Sequence, residues 1–281
     1  MGMSQTPAEH SPAVASFVGD WSGQIITTAI HAGHDLREEV AEAMILDETV
    51  RLREEDPHTD RIGAHLPARV IAHRSRFEVD LNRVREEAVY REPDDCWGLE
   101  VWRETPLDDD IAQRSLEVYD SFYAELAERL DEVSARGPFV VYDVHSYNHR
   151  RDGELAEPAD PEHNPEVNVG TGSMDRERWG QVVDTFITAL GGSWPAPRES
   201  GPRMDVRENV KFVGRGLAQW VHERYPDTGI VLALEFKKTF MDEWSGEVDE
   251  TKLAEVSAAL ADTYEPVLHA LRDLSGKTFY P

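Results

Sequence analysis

The chain carries one cysteine, Cys96. No disulfide can form within it, which fits a reducing compartment, and the expected location is cytoplasmic. Lysine is almost as scarce, at five of the 29 basic residues, the rest being arginine. Apolar runs are short. None approaches the roughly 18 residues that a membrane span requires, so no transmembrane helix is expected. The opening stretch, MGMSQTPAEHSPAVASF, lacks a basic region leading into an apolar core and does not read as a secretory leader. Residues 1–20 are expected to be a tail and lead-in. Positive charge is in short supply overall: 55 acids face 29 bases, for a net charge of −26. Such a surface repels phosphates and excludes nucleic acid as a partner. An acid-rich, lysine-poor surface suits either an acidic, arginine-biased proteome or work at high salt, where screening removes the self-repulsion.

What remains is an ordinary soluble composition: 281 residues, 40% apolar and 30% charged. That is enough to bury a substantial core. No repeat or low-complexity block interrupts it, and residues 21–281 read as a single catalytic domain. Four strands are expected: GQIITTAI (23–30), ARVIAH (68–73), PFVVYDVHSY (138–147) and GIVLALEFKK (229–238). Helices are expected at about 36–46, 107–137, 175–190, 216–224 and 249–274. A Pro-, Gly- and Asn-rich segment from Asn148 to Ser173 is too long for a simple connection, and a second Pro/Gly loop spans 191–206. Strands alternating with helices predict an α/β fold with a mixed, mainly parallel sheet flanked by helices.

In such sheets ligands bind beyond the carboxyl ends of the strands. His31 and His34 stand after the first strand, Asn82 and Arg83 in the segment after the second, His145 and Tyr147 at the end of the third, and Glu235 and Lys237 at the end of the fourth. Histidines with a carboxylate and an arginine suit a metallohydrolase. Three protein ligands on zinc leave a fourth position for water, which the ion acidifies. A nearby carboxylate can take the proton, and a guanidinium can clamp a substrate carboxylate. Each residue also has a plainer reading: a hydrogen-bonded structural histidine, Arg83 paired with Asp80 or Glu86, Asp143 orienting a ligand or merely bonded within its strand. Glu235 is the most telling, because a carboxylate in VLALEF is costly to bury without a role. Cys96 has no basic neighbour in sequence and is not expected to be a nucleophile.

The order IHAGH, VDLNR, DVHSY, LALEF resembles the zinc carboxypeptidase superfamily. The closer resemblance is to its N-formylglutamate amidohydrolase branch. It is carried by HAG (31–33), SRFEVDLNR (75–83), DVHS (143–146), NVGTGS (168–173), NVKFVGRG (209–216) and LALEFKKTFMDE (232–243), over roughly residues 25 to 245. The resemblance implies a zinc carboxypeptidase-like fold and one Zn2+ per chain. It also implies hydrolysis of the formamide or amide bond of an N-formyl or N-acyl amino acid such as N-formylglutamate. His31 and His145 would be metal ligands and Glu235 the general base and acid. Arg83 with Asn82 would hold the substrate carboxylate, and Ser146 and Tyr147 would line the pocket. His34 is expected as the third ligand, with Asp56 or Asp60 of EEDPHTD as alternatives. GRG at 214–216 replaces the family's Gly-Gly and puts Arg215 near the presumed pocket. Two other readings stand beside this one: a carboxypeptidase-like hydrolase of short peptides, and a non-catalytic relative that binds a carboxylate or a metal.

Overall fold

Alternate residues of the central strands feed two separate apolar layers, and that alternation fixes where the chemistry sits. The structure is a computed structural model that describes residues 13–191 and 204–276. Among these residues seven strands form one sheet: β1 (Ala15–Gly19), β2 (Ile25–Ala29), β3 (Ala68–Ala72), β4 (Phe139–Tyr147), β5 (Val167–Gly170), β6 (Val206–Glu208) and β7 (Gly229–Lys237). Their order is β1-β3-β2-β4-β7-β5-β6. The four strands β3, β2, β4 and β7 run parallel. At one edge β1 is antiparallel to β3; at the other β5 is antiparallel to β7 and parallel to β6. The sheet is mixed and mainly parallel, as expected.

Helices cover both faces. They are α1 (Glu38–Ala43), α2 (Glu48–Glu54), α3 (Thr59–Ile62), α4 (Asp109–Ser134), α5 (Arg176–Leu190), α6 (Leu217–Arg224), α7 (Glu250–Ala261) and α8 (Tyr264–Ser275). Phe139 and Val141 of β4 and Val231 of β7 pack with α4 and α6. Val140, Tyr142 and Val144, with Ile230, Leu232 and Leu234, pack with α5, α7 and α8. Both strands are thus apolar on both faces, which explains their unbroken hydrophobic runs. Side chains alternate along a strand, so Asp143 and His145 share the face of Phe139 and Val141, and Glu235 shares that of Val231.

Several elements depart from the sequence reading. The lead-in contains β1, which closes one edge of the sheet. The segment after β4 contains β5, held to β7 in spite of its Asn and Gly content. The last helix is two. Pro266 has no N–H to donate to the preceding turn, and the chain breaks at Thr263, whose hydroxyl bonds the Leu260 carbonyl at 2.7 Å and the Tyr142 hydroxyl at 3.0 Å. Met1 to Thr6 and most of the 191–206 loop lie outside the described residues.

Candidate active site

His31 lies two residues past β2, His145 and Glu235 are register partners on the parallel strands β4 and β7, and Asp56 follows α2. The backbone N–H of Asp56 donates to the His31 carbonyl at 3.0 Å and draws its segment up against the end of β2. His31, Asp56 and His145 are all buried, and one ligand atom from each lies within 4.8 Å of the others. Gly33 makes the turn beneath them possible, because a Cβ there would overlap the backbone carbonyl of His73. The requirement is close approach of two chains.

The imidazoles are anchored from behind. His31 donates from Nε2 to Asp80 Oδ1 at 2.7 Å, and His145 from Nε2 to Asp143 Oδ2 at 3.0 Å. This assignment points both Nδ1 atoms at one oxygen, Asp56 Oδ2, at 3.4 Å and 3.1 Å. Two nitrogen lone pairs and a carboxylate oxygen converging in a buried space repel one another unless positive charge lies between them. Ligand atoms about 2.0–2.1 Å from a tetrahedral zinc stand about 3.4 Å apart, so the observed spacing fits such an ion, and nitrogen–oxygen donors oriented by outer carboxylates are the usual setting for one. The residues therefore fit a divalent cation.

A proton on either Nδ1 relieves the same repulsion, and the ionisation of these groups reflects it. Burial works against ionisation of Asp56, yet hydrogen bonds to His145 and His31 outweigh it and hold the carboxyl below its usual range. Burial likewise opposes charge on His145, but the Asp143 carboxylate beside it lifts its pKa well above the ordinary value. Asp80 is held down, against its burial, by Arg76 and His31. At Glu235 burial prevails over the attraction of His145 and Arg76 and pushes the carboxyl up to about 8. A carboxyl in the neutral range is one that can both take and return a proton.

A cavity of about 240 Å³ opens in front of these groups, small beside the roughly 300–1,000 Å³ that drug-sized ligands occupy. Its wall includes His31, Asp56, His145, Glu235, Asn82, Ser146 and Tyr147. It also includes groups not anticipated from sequence: Glu54, Arg76, Trp97, Asn148, Arg151, Phe212 and Lys238. Arg76 donates to Asp80 Oδ2 at 2.8 Å, and its Nε is buried with no hydrogen-bond partner among the described residues. Lys238 donates to the carbonyls of Arg53 and Glu55 at 2.6 and 2.7 Å and pins the segment that bears Asp56.

Two expectations need correction. His34 does not join the other histidines. Its Nδ1 donates to Glu55 at 2.5 Å and its Nε2 accepts from Arg51 at 2.6 Å, so both ring nitrogens are engaged elsewhere. Asp56, the alternative, stands in that place; Asp60 lies on α3, outside the trio. Arg83 faces another pocket with Glu86 and Arg91, stacked 4.9 Å from the Tyr90 ring, and Arg76 is the arginine of that motif that meets the cavity. Asn82 does line the cavity. It also accepts from the Leu217 N–H at 3.1 Å, where a Cβ on Gly216 would strike its backbone carbonyl. Arg215 is exposed and off the cavity wall. Ser146 and Tyr147 line the cavity with their hydroxyls engaged, Ser146 on Asp56 at 3.2 Å and Tyr147 on the Pro165 carbonyl. Cys96 is buried, and burial raises its thiol pKa, as for an inert side chain.

The family model described as N-formylglutamate amidohydrolase matches residues 23–241. An N-formylglutamate amidohydrolase from Ralstonia eutropha JMP134 superposes with TM-score 0.69 at 15% identity, over 93% of this chain and 99% of that one. A gene product of Agrobacterium tumefaciens superposes with TM-score 0.62 at 16% identity, over 93% and 96%. A metallo-carboxypeptidase from Burkholderia cenocepacia gives TM-score 0.36 at 17% identity over 86% of this chain and 56% of that one, an overlap too partial to bear on the site. No curated protein matches the sequence.

Proposed function

The chain belongs to the N-formylglutamate amidohydrolase family, and on that premise we propose that it hydrolyses the amide bond of a small N-acyl amino acid, N-formylglutamate being the family's namesake, with one zinc ion held by His31, Asp56 and His145. The observation that carries this reading is the convergence of two imidazole Nδ1 atoms on Asp56 Oδ2, beside Glu235, in a cavity of amino-acid size. A divalent cation there supplies Lewis acidity, acidifying a water and polarising the substrate carbonyl.

The chain's own groups do the rest. Arg151, whose nearest acid is Glu54 at 3.7 Å, receives the substrate carboxylate. The Glu235 carboxylate takes a proton from the attacking water as its oxygen bonds the carbonyl carbon. The unpartnered Nε–H of Arg76 meets the oxygen that turns negative. Glu235 then gives the proton to the amide nitrogen, the C–N bond breaks, and a carboxylic acid and a free amine leave. Asp80 and Asp143 keep the imidazoles in one tautomer throughout.

Release of primary amine from N-formyl and N-acetyl amino acids tests the reading. The zinc-loaded protein turns over at least one of them, and a chelator abolishes the turnover. Failure on the whole set, at full zinc occupancy, refutes it.

A further inference from the structure

We propose, resting on the reading above, that the substrate is an N-acyl amino acid with a single carboxylate and an apolar, aromatic-sized side chain, held between Trp97 and Phe212. Trp97 is 57% exposed and lines the mouth of the catalytic cavity. Its backbone has φ 57°, the left-handed conformation that ends the short 3-10 turn Pro93–Cys96 and is costly for a bulky residue. The indole is steadied in that pose, with the Arg76 guanidinium 5.0 Å from its centroid and the Tyr90 ring edge-on at 6.0 Å. An exposed, strained and braced tryptophan at the entrance of a catalytic cavity is a platform for a flat or apolar group.

Phe212 comes from the opposite flank. Arg76 and Trp97 follow β3 in the chain, whereas Phe212 is fixed to β5, and β2, β4 and β7 lie between those two strands in the sheet. The fixing is specific. Asn168, fully buried on β5 and paired in register with Glu235, accepts from the N–H groups of Lys211 and Phe212 at 2.8 and 3.3 Å and donates to the Phe212 carbonyl at 2.7 Å. The same strand pair that places the proton-transfer carboxylate thus also sets the aromatic wall.

Charge argues against a second carboxylate on the substrate. Among the described residues the cations on this wall are Arg76, Arg151 and Lys238. Lys238 is held by two carbonyls, and Arg76 by Asp80 and the Glu54 carbonyl. Arg151, whose contact with Glu54 is long at 3.7 Å, remains for one carboxylate. A side-chain carboxylate would lie among Glu54, Asp56 and Glu235, and the ammonium nearest the Phe212 ring, that of Lys211 at 5.9 Å, is engaged by Asn164 at 2.6 Å, so burying that carboxylate carries a large desolvation cost.

The test compares N-formyl-L-phenylalanine, N-formyl-L-methionine and N-formyl-L-glutamate on the zinc-loaded enzyme, by kcat/KM, and on Glu235→Gln, by equilibrium binding. The apolar compounds are expected to win by at least about tenfold in both measurements. Trp97→Ala and Phe212→Ala are expected to raise KM for the phenylalanine compound roughly tenfold, with little change for glutamate. Preference for glutamate, equal use of all three, or equal loss on every compound in both variants overturns the inference. No turnover but tighter binding of the apolar compounds to Glu235→Gln supports it while refuting the hydrolase reading.

Discussion

Glu235 and Lys238 stand three residues apart at the end of β7, and burial acts on them in opposite directions. It lifts the carboxyl to about 8 and lowers the ammonium to about 8, since in both it disfavours the charged form. Their duties differ accordingly. Glu235→Gln should lower turnover by about 10²–10⁴-fold while leaving the cation bound, read by kinetics and metal content on one preparation. Lys238→Met should leave the Arg53 and Glu55 carbonyls unsatisfied beside Asp56, costing about 1–3 kcal/mol in denaturant unfolding and weakening the ion's hold. Lys238→Arg should recover part of both losses. At this scale the sequence disclosed types better than directions. His31, His145, Asn82 and Glu235 were legible because each ends or follows a strand in a fixed order. His34 was misleading, because spacing after a strand end does not say which way a ring turns, and Glu55 with Arg51 turns this one away. The sequence offers Asp56 only as an alternative, because what brings it in is a backbone bond to His31 that no local pattern encodes.

Among elements, legibility followed burial. β4 and β7 are apolar on both faces and were evident from composition, whereas β5 and β6, of four and three residues, owe their existence to pairing at the sheet's edge. The attachment of α6 to β7 makes a separate prediction. His222 on α6 accepts the Val231 N–H on Nε2 at 3.0 Å and bonds Ser173 Oγ through Nδ1 at 2.8 Å, and burial lowers its pKa to about 4. The unfolded chain takes up this proton near pH 6.5, but the folded one only near 4. The stabilisation from keeping it neutral is complete above pH 6.5 and is lost as the pH falls toward 4, by a few kcal/mol. His222→Gln should flatten that part of the stability profile in denaturant titrations. An unchanged slope would contradict the assignment.

Across the whole molecule the net charge of −26 sets the terms. Self-repulsion at that charge opposes folding, and ions screen it over about 10 Å at 0.1 M and about 3 Å at 1 M. Raising potassium chloride through that range should raise Tm by several degrees; a fall would mean that surface ion pairs outweigh the repulsion. No helix among the described residues is long and apolar enough to cross a membrane.

The central claim, that His31, Asp56 and His145 hold one divalent cation, is tested most directly by elemental analysis of the purified wild type, Asp56→Ala and His34→Ala after incubation with zinc and removal of the excess. The account predicts about one ion per chain in the wild type and in His34→Ala, and none in Asp56→Ala. An ion kept by Asp56→Ala and lost from His34→Ala, or a wild type that binds none, would contradict it.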